Sequence, residues 1–235
     1  HRRQQTGNFT GTRQAQKSIT GINLQTACEE WYTTPLLLKV SPDMYRIVLG
    51  KVSVLSAGEL PAAMKEQAPQ GVRRARWLAG RVLLSHALSP LPNIIYGEQG
   101  KPAFSADTPL WFNLSHSGDD IVLLLSDEGE VGCDIEVIRP RDNWQTLANT
   151  VFSLGEHAEV EAEHPEQQLA AFWRIWTRKE AIVKQRGGSA WQIVSVDSTA
   201  LTSSLSVSQC QIDTLSLAVC TPTPFTLTAD AVHRL

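Results

Sequence analysis

Val131-Gly132-Cys133-Asp134-Ile135-Glu136-Val137 is the most telling stretch of the chain. Side chains alternate along a strand, so Asp134 and Glu136 share one face while Val131, Cys133, Ile135 and Val137 share the other. The apolar face can seat the strand on a core. Two carboxylates projecting together repel each other unless something positive lies between them. A hard divalent cation such as Mg²⁺ suits oxygen ligands of this kind and keeps open positions for water and substrate phosphate. Just upstream, Asp127-Glu128-Gly129-Glu130 reads as a hairpin turn into this strand, with two further strands expected over 110–115 and 120–125.

Downstream, apolar residues recur at Leu169, Phe172, Trp173, Trp176 and Val183, which predicts a helix over 166–186. Pro165 opens it and Gly187-Gly188 closes it. Glu180 falls four residues after Trp176 and three before Val183, on or beside the apolar stripe. Lys184 follows one helical turn later. Charges on an inward-facing stripe are costly unless paired or ligating. The plain alternative is an ion pair between Glu180 and Lys184 on a solvated face. Between strand and helix, Ser153-Leu154-Gly155-Glu156 has the form of a capping box opening a helix that runs to about 163.

Nearer the N-terminus, a strand is expected over 44–49 and a helix over 72–88, with Leu78, Ala79, Val82 and Leu83 inward. Arg73, Arg74, Arg76 and Arg81 cluster on that helix, either as a solvated basic face or as an anion-binding surface. Gly97 to Pro102 is a turn-rich loop. In the tail, strands are expected around 193–196, 215–220 and 225–227. Each half is therefore strands plus helices rather than a βαβ series, which argues for an α+β fold. The organisation reads as 44–130 for an N-terminal half and 131–235 for a C-terminal half. Segment 1–43 precedes them as an extension or an appended artificial segment. It is Gln/Thr/Arg-rich at its start, has no clear periodicity and is assigned no function.

The 42% hydrophobic content of the 235 residues is ample for a packed core, and a net charge of -3 argues against a nucleic-acid binder acting through bulk charge. Cys28, Cys133, Cys210 and Cys220 form no C-x-x-C pair, so reduced thiols and a cytoplasmic setting are expected. No apolar run approaches the roughly 18 residues of a membrane helix, and no signal-peptide pattern is present, so no membrane partner is expected.

Asn113-Leu114-Ser115-His116-Ser117, then the Asp134/Glu136 strand, then Trp176-Thr177-Arg178-Lys179-Glu180-Ala181-Ile182-Val183-Lys184 occur in one order, with Gly100-Lys101-Pro102 upstream. In these motifs the chain resembles the Sfp-type 4′-phosphopantetheinyl transferases, from about Met44 to near the C-terminus. The resemblance implies two similar α/β halves related by a pseudo-twofold, working as a monomer. It also implies an enzyme that moves the phosphopantetheine arm of coenzyme A to a serine of an apo acyl carrier protein and releases 3′,5′-ADP. Asp134, Glu136 and Glu180 would then hold Mg²⁺, and Lys184 would reach the phosphates. His116, helped by Ser115, would contact the 3′-phosphate of coenzyme A, and Lys101 would also touch coenzyme A. Arg74 and Arg81 carry over less directly as further contacts. On residue chemistry alone, His116 would be a structural hydrogen-bonder and Lys101 an exposed lysine. Glu156 is a candidate general base by resemblance and a helix cap by its own sequence context. Two other readings compete: another Mg²⁺-dependent phosphohydrolase, and a non-catalytic carrier-protein-binding module.

Overall fold

The computed structural model describes residues 45–201 and 204–235, so segment 1–43, Cys28 and Met44 lie outside the described residues. Strand β1 is Tyr45–Lys51, and after two short helical turns comes helix α1, Arg74–Ala87. A small hairpin of β2 (Ile94–Tyr96) and β3 (Pro102–Phe104) follows. Next are β4 (Trp111–Ser117), β5 (Asp120–Ser126) and β6 (Gly132–Val137). Helices α2 (Trp144–Val151), α3 (Leu154–Glu161) and α4 (Gln168–Gln185) form the middle of the C-terminal half. Strands β7 (Ser206–Ile212), β8 (Leu215–Thr221) and β9 (Val232–Arg234) end the chain.

Two sheets organise these elements. The first has order β4-β5-β1-β9 and the second β6-β8-β7. Pairing is antiparallel except for β1 with β9, where the last strand returns to the first sheet. Alternation along each strand feeds three cores. Val48, Phe112, Ile121, Leu123 and Leu125 pack on Ala79, Leu83 and Leu84 of α1. Ile47, Leu49, Val122 and Leu124 meet Cys133, Ile135, Leu217 and Val219 between the sheets. Ala218 and Cys220 receive Phe172, Ala181 and Ile182 of α4. The result is a helix–sheet–sheet–helix stack. Because both faces of β5 are covered, its Ile-Val-Leu-Leu-Leu run is continuous rather than alternating, and all five residues are buried.

The expected apolar face of the 131–137 stretch packs between the sheets: Val131 and Cys133 are fully buried and Ile135 is nearly so. The expected hairpin does not form. Glu130 leads the chain out of the first sheet, and β6 takes β8 as its ladder partner instead of β5. In the tail, 193–196 enters a 3₁₀ helix, Ala190–Ser195, because Ser189 and Gln192 form a capping box around its first turn. Residues 225–227 form no strand. The strands the sequence reading missed are β7, whose serines and glutamines mask its pattern, and β2, β3 and β9, each only three residues long. Among the described residues no helix is long and apolar enough to cross a membrane.

Helix α4 lies on β6 at backbone contact distance, and Gly132 is what permits it. A Cβ there would fall 2.1 Å from the Ala181 carbonyl oxygen and 2.3 Å from the Gln185 nitrogen, both backbone atoms that cannot swing aside. Gly132→Ala should therefore destabilise the protein by about 1–3 kcal/mol or more, through displacement of α4. Urea unfolding of the variant checks this, and a midpoint equal to the parent's would show that the helix does not depend on this contact.

Candidate active site at the seam between the sheets

Strand β6 is the edge of its sheet, so the N–H groups of its alternate residues point away from β8 and need other acceptors. They find them on side chains of β4. The Cys133 N–H donates to Asn113 Oδ1 at 2.8 Å, the Ile135 N–H to Ser115 Oγ at 3.2 Å, and the Val137 N–H to Ser117 Oγ at 3.0 Å. Asn113, Ser115 and Ser117 are buried polar residues in an otherwise apolar strand, and this ladder satisfies them.

The same serines touch the acids. Ser115 Oγ donates to Asp134 Oδ1 at 3.2 Å, and Ser117 Oγ donates to Glu136 Oε2 at 3.1 Å. From α4, Lys184 Nζ donates to Asp134 Oδ1 at 2.7 Å and to Ser115 Oγ at 3.0 Å. The alternative of a solvated Glu180–Lys184 pair is thus not what this lysine does. Burial pushes the Asp134 carboxyl up, against the pull of Lys184. Burial and the Asp134 charge push Glu136 up. Glu180 rises to about 7, through burial and then the charges of Asp134 and Glu136, with Lys184 opposing. Three carboxylates therefore sense one another's field. Burial works against the Lys184 ammonium, yet the Asp134 charge and hydrogen bond outweigh it and its pKa is raised.

Three carboxylates make a donor set suited to a hard divalent cation. Asp134 Oδ2 is buried without a hydrogen-bond partner, which leaves one oxygen facing no protein donor. As the side chains stand, however, no three His, Cys, Asp or Glu among the described residues are grouped closely enough to hold a metal. Lys184 stands on Asp134 instead.

The basic candidates separate. His116 is exposed near the end of β4; partial burial and then the charges of Arg76 and Lys184 hold its pKa below the usual value. Arg76, one of four clustered arginines in the sequence, is thus the one whose charge reaches the site. Arg74 opens α1, half-buried. Arg81 is buried, donates to the Tyr96 hydroxyl at 2.6 Å and lies over the Trp77 ring, so its guanidinium serves the α1–β2 contact. Lys101 donates to the Val131 carbonyl at 2.8 Å and to Glu130 Oε2 at 3.0 Å, at the entry to β6. Two grooves of about 350 and 290 Å³ lie past the C-terminal end of α4; Gln99, Arg186 and Gly187 line both, and none of the three acids lines either.

Glu156 stands apart from this cluster. It is fully buried, and both oxygens are in use. Oε1 accepts from the Ser153 N–H at 2.8 Å and Lys179 Nζ at 2.7 Å, while Oε2 accepts from the Ser198 N–H at 3.0 Å and Ser198 Oγ at 2.6 Å. Lys179, equally buried, also bonds the Val196 carbonyl. The capping box expected at Ser153 is present. A carboxylate so enclosed is placed to fasten α3 to α4, not to meet the hydroxyl of another protein. The residues that the sequence reading did not single out are Ser117, Asn113, Arg76 and Lys179. The alternation Asn113, Ser115, Ser117, matching Cys133, Ile135, Val137, was the available signal for the first two.

The profile of the 4′-phosphopantetheinyl transferase superfamily matches residues 130–224. The 4′-phosphopantetheinyl transferase AcpT of Salmonella typhi is 85% identical over 191 residues, covering 81% of this chain and 99% of that protein. AcpT of Escherichia coli strain K12 is 81% identical over 190 residues, covering 81% and 97%. A 4′-phosphopantetheinyl transferase of Bacillus subtilis is 34% identical over 151 residues, covering 57% and 66%.

Two expectations follow from the geometry. Glu156→Ala would strand the buried Lys179 ammonium, so it should cost about 3–5 kcal/mol rather than the ~1 kcal/mol of a lost cap. Denaturant unfolding distinguishes the two. For Glu180, burial and the neighbouring Asp134 charge push the folded-state pKa up to about 7, whereas the unfolded chain releases the proton near the ordinary glutamate value of 4.5. Between those values the native state binds more protons, so stability falls as pH rises across the window. Glu180→Gln should flatten that slope and raise the melting temperature at pH 8; a pH–stability curve unchanged by the substitution would contradict it.

Proposed function

The chain belongs to the 4′-phosphopantetheinyl transferase superfamily, and on that premise we propose that the seam is its active site, with Asp134, Glu136 and Glu180 holding Mg²⁺. It is an enzyme, a transferase, that moves the 4′-phosphopantetheine arm of coenzyme A to a carrier-protein serine. The serine oxygen forms a bond to the β-phosphorus, the bond to 3′,5′-ADP breaks, and the serine proton leaves. Chemistry of this kind depends chiefly on positioning and on stabilising charge at the phosphates. When bound, Mg²⁺ would supply a Lewis acid and template for the pyrophosphate. Lys184, anchored on Ser115 and Asp134, offers its remaining donor capacity to the same phosphates. Arg76 and Lys184 supply the positive charge of the site, and His116, whose protonation partial burial and those two charges oppose, offers a ring N–H suited to the 3′-phosphate of coenzyme A. Lys101 and Arg74 are assigned to coenzyme A on the family resemblance alone; Lys101 itself is bonded to Glu130 and the Val131 carbonyl, and Arg81 to Tyr96. Glu156 holds α3 to α4.

The observation that carries this reading is the convergence of Asp134, Ser115 and Lys184 from three elements, with Asp134 Oδ2 left facing no protein donor. Both sides of the site come from one chain, so the enzyme works as a monomer, in the cytoplasm, where reduced cysteines are stable. Its partner is an apo acyl carrier protein.

Incubation with coenzyme A, Mg²⁺ and a panel of apo carriers, followed by weighing the carriers, tests the assignment. One carrier should gain a single phosphopantetheine, with an equal amount of 3′,5′-ADP released. Asp134→Ala should fold yet transfer nothing, and excess chelator should stop the parent enzyme. Release of 3′,5′-ADP without any carrier would favour a phosphohydrolase, and full activity in chelator would remove Mg²⁺ from the mechanism.

A further inference from the structure

We propose that Ser117 is a positioning residue that aims Glu136 at the divalent-cation site, an inference that rests on the Mg²⁺ reading above. A serine hydroxyl has a single proton to give. Ser117 Oγ accepts the Val137 N–H at 3.0 Å, so its lone pair on that side is engaged, and its proton is directed to Glu136 Oε2 at 3.1 Å. The side chain is buried in the seam, 8% exposed, where water does not compete freely for either bond.

The arrangement is the second of a matched pair. Ser115 accepts the Ile135 N–H and donates to Asp134; two residues on, Ser117 accepts the Val137 N–H and donates to Glu136. Strand β4 therefore offers one hydroxyl per acid, at the spacing that places both acids on one face of β6. The two acids differ in what else holds them. Asp134 also has Lys184 at 2.7 Å, whereas the nearest cation to Glu136 is Arg139, half-exposed and 3.6 Å away. Without the Ser117 hydroxyl, repulsion from Asp134 would drive the Glu136 carboxylate outward toward Arg139, three residues along. The hydroxyl keeps it on the side of Asp134 and Glu180. Groups that orient metal ligands typically change metal affinity roughly 10–100-fold when removed.

The test compares Ser117→Thr with Ser117→Val, which have nearly the same shape and differ by the hydroxyl, alongside Ser117→Ala. Mn²⁺ binding to the full chain, without coenzyme A, is followed by electron paramagnetic resonance or calorimetry, and folding by melting temperature. The expected result is that Val and Ala weaken Mn²⁺ binding roughly 10-fold or more, while Thr stays close to the parent. Their transfer activity should also need correspondingly more Mg²⁺, with the rate recovering at saturation. Val binding Mn²⁺ as tightly as Thr would overturn the proposal while leaving the metal reading intact. A parent chain that binds no divalent cation would overturn both, which separates the two failures. If Ala and Val melt too low to titrate, a Thr variant with Mn²⁺ affinity well below the parent's would still overturn the proposal.

Discussion

The rest of the molecule depends on how the free edge of β6 is satisfied. A buried N–H without a partner costs about 1–3 kcal/mol, and β6 turns three of them away from its own sheet. β4 and β6 run close together, but they are edges of different sheets and share no backbone ladder. Short polar side chains take the place of that ladder. Asn113, Ser115 and Ser117 carry the acceptors outward from β4 and meet the N–H groups at 133, 135 and 137. Because the acceptors are hydroxyls, each serine still has a proton to give, and the nearest carboxylates are those of Asp134 and Glu136. The bonds that join the halves thus also orient the acids.

Helix α4 completes the arrangement and is fastened along its length. Lys179 is bound to Glu156 and the Val196 carbonyl, Thr177 Oγ1 lies 2.8 Å from Ser216 Oγ, and the Gly132 contact pins the last turn. Such rigidity has a purpose when the charges are considered. Beyond burial, the Asp134 charge raises the proton affinity of both Glu136 and Glu180, and Lys184 offsets only part of that repulsion. A loosely held helix would relieve the repulsion by moving away. The cost is retained because Glu180 and Lys184 are one turn apart on an element that cannot retreat.

Much of this was legible in the sequence because strand and helix periodicities are strong where one face is apolar. The face opposite Asp134 and Glu136 and the stripe of α4 both follow from spacing alone. The partner of β6 did not, since nothing local says whether a strand continues a hairpin or leaves for another sheet. The burial of Lys179 and Arg81 was equally hidden, because each is compensated by residues distant in sequence: Glu156 by 23 positions and Tyr96 by 15. Ser117 looked like a flank of His116. Its meaning appears only when the register of β4 against β6 places it opposite Val137.

The charge distribution across the seam explains why one ligand class suits it. Carboxylates project from β6 and α4, while the cations come from α1 and the last turn of α4. Lys184 stands between them, bonded to an acid yet close enough to His116 to depress its protonation. Neither half is electrically comfortable as it stands. A bare cation would satisfy the acids and leave the charges of Arg76 and Lys184 uncompensated; a bare phosphate would do the reverse. A polyphosphate that arrives with its own divalent cation answers both at once, the cation turned to the carboxylates and the phosphates to the basic groups. On the proposed Mg²⁺ reading, coenzyme A with its cation has that division of charge.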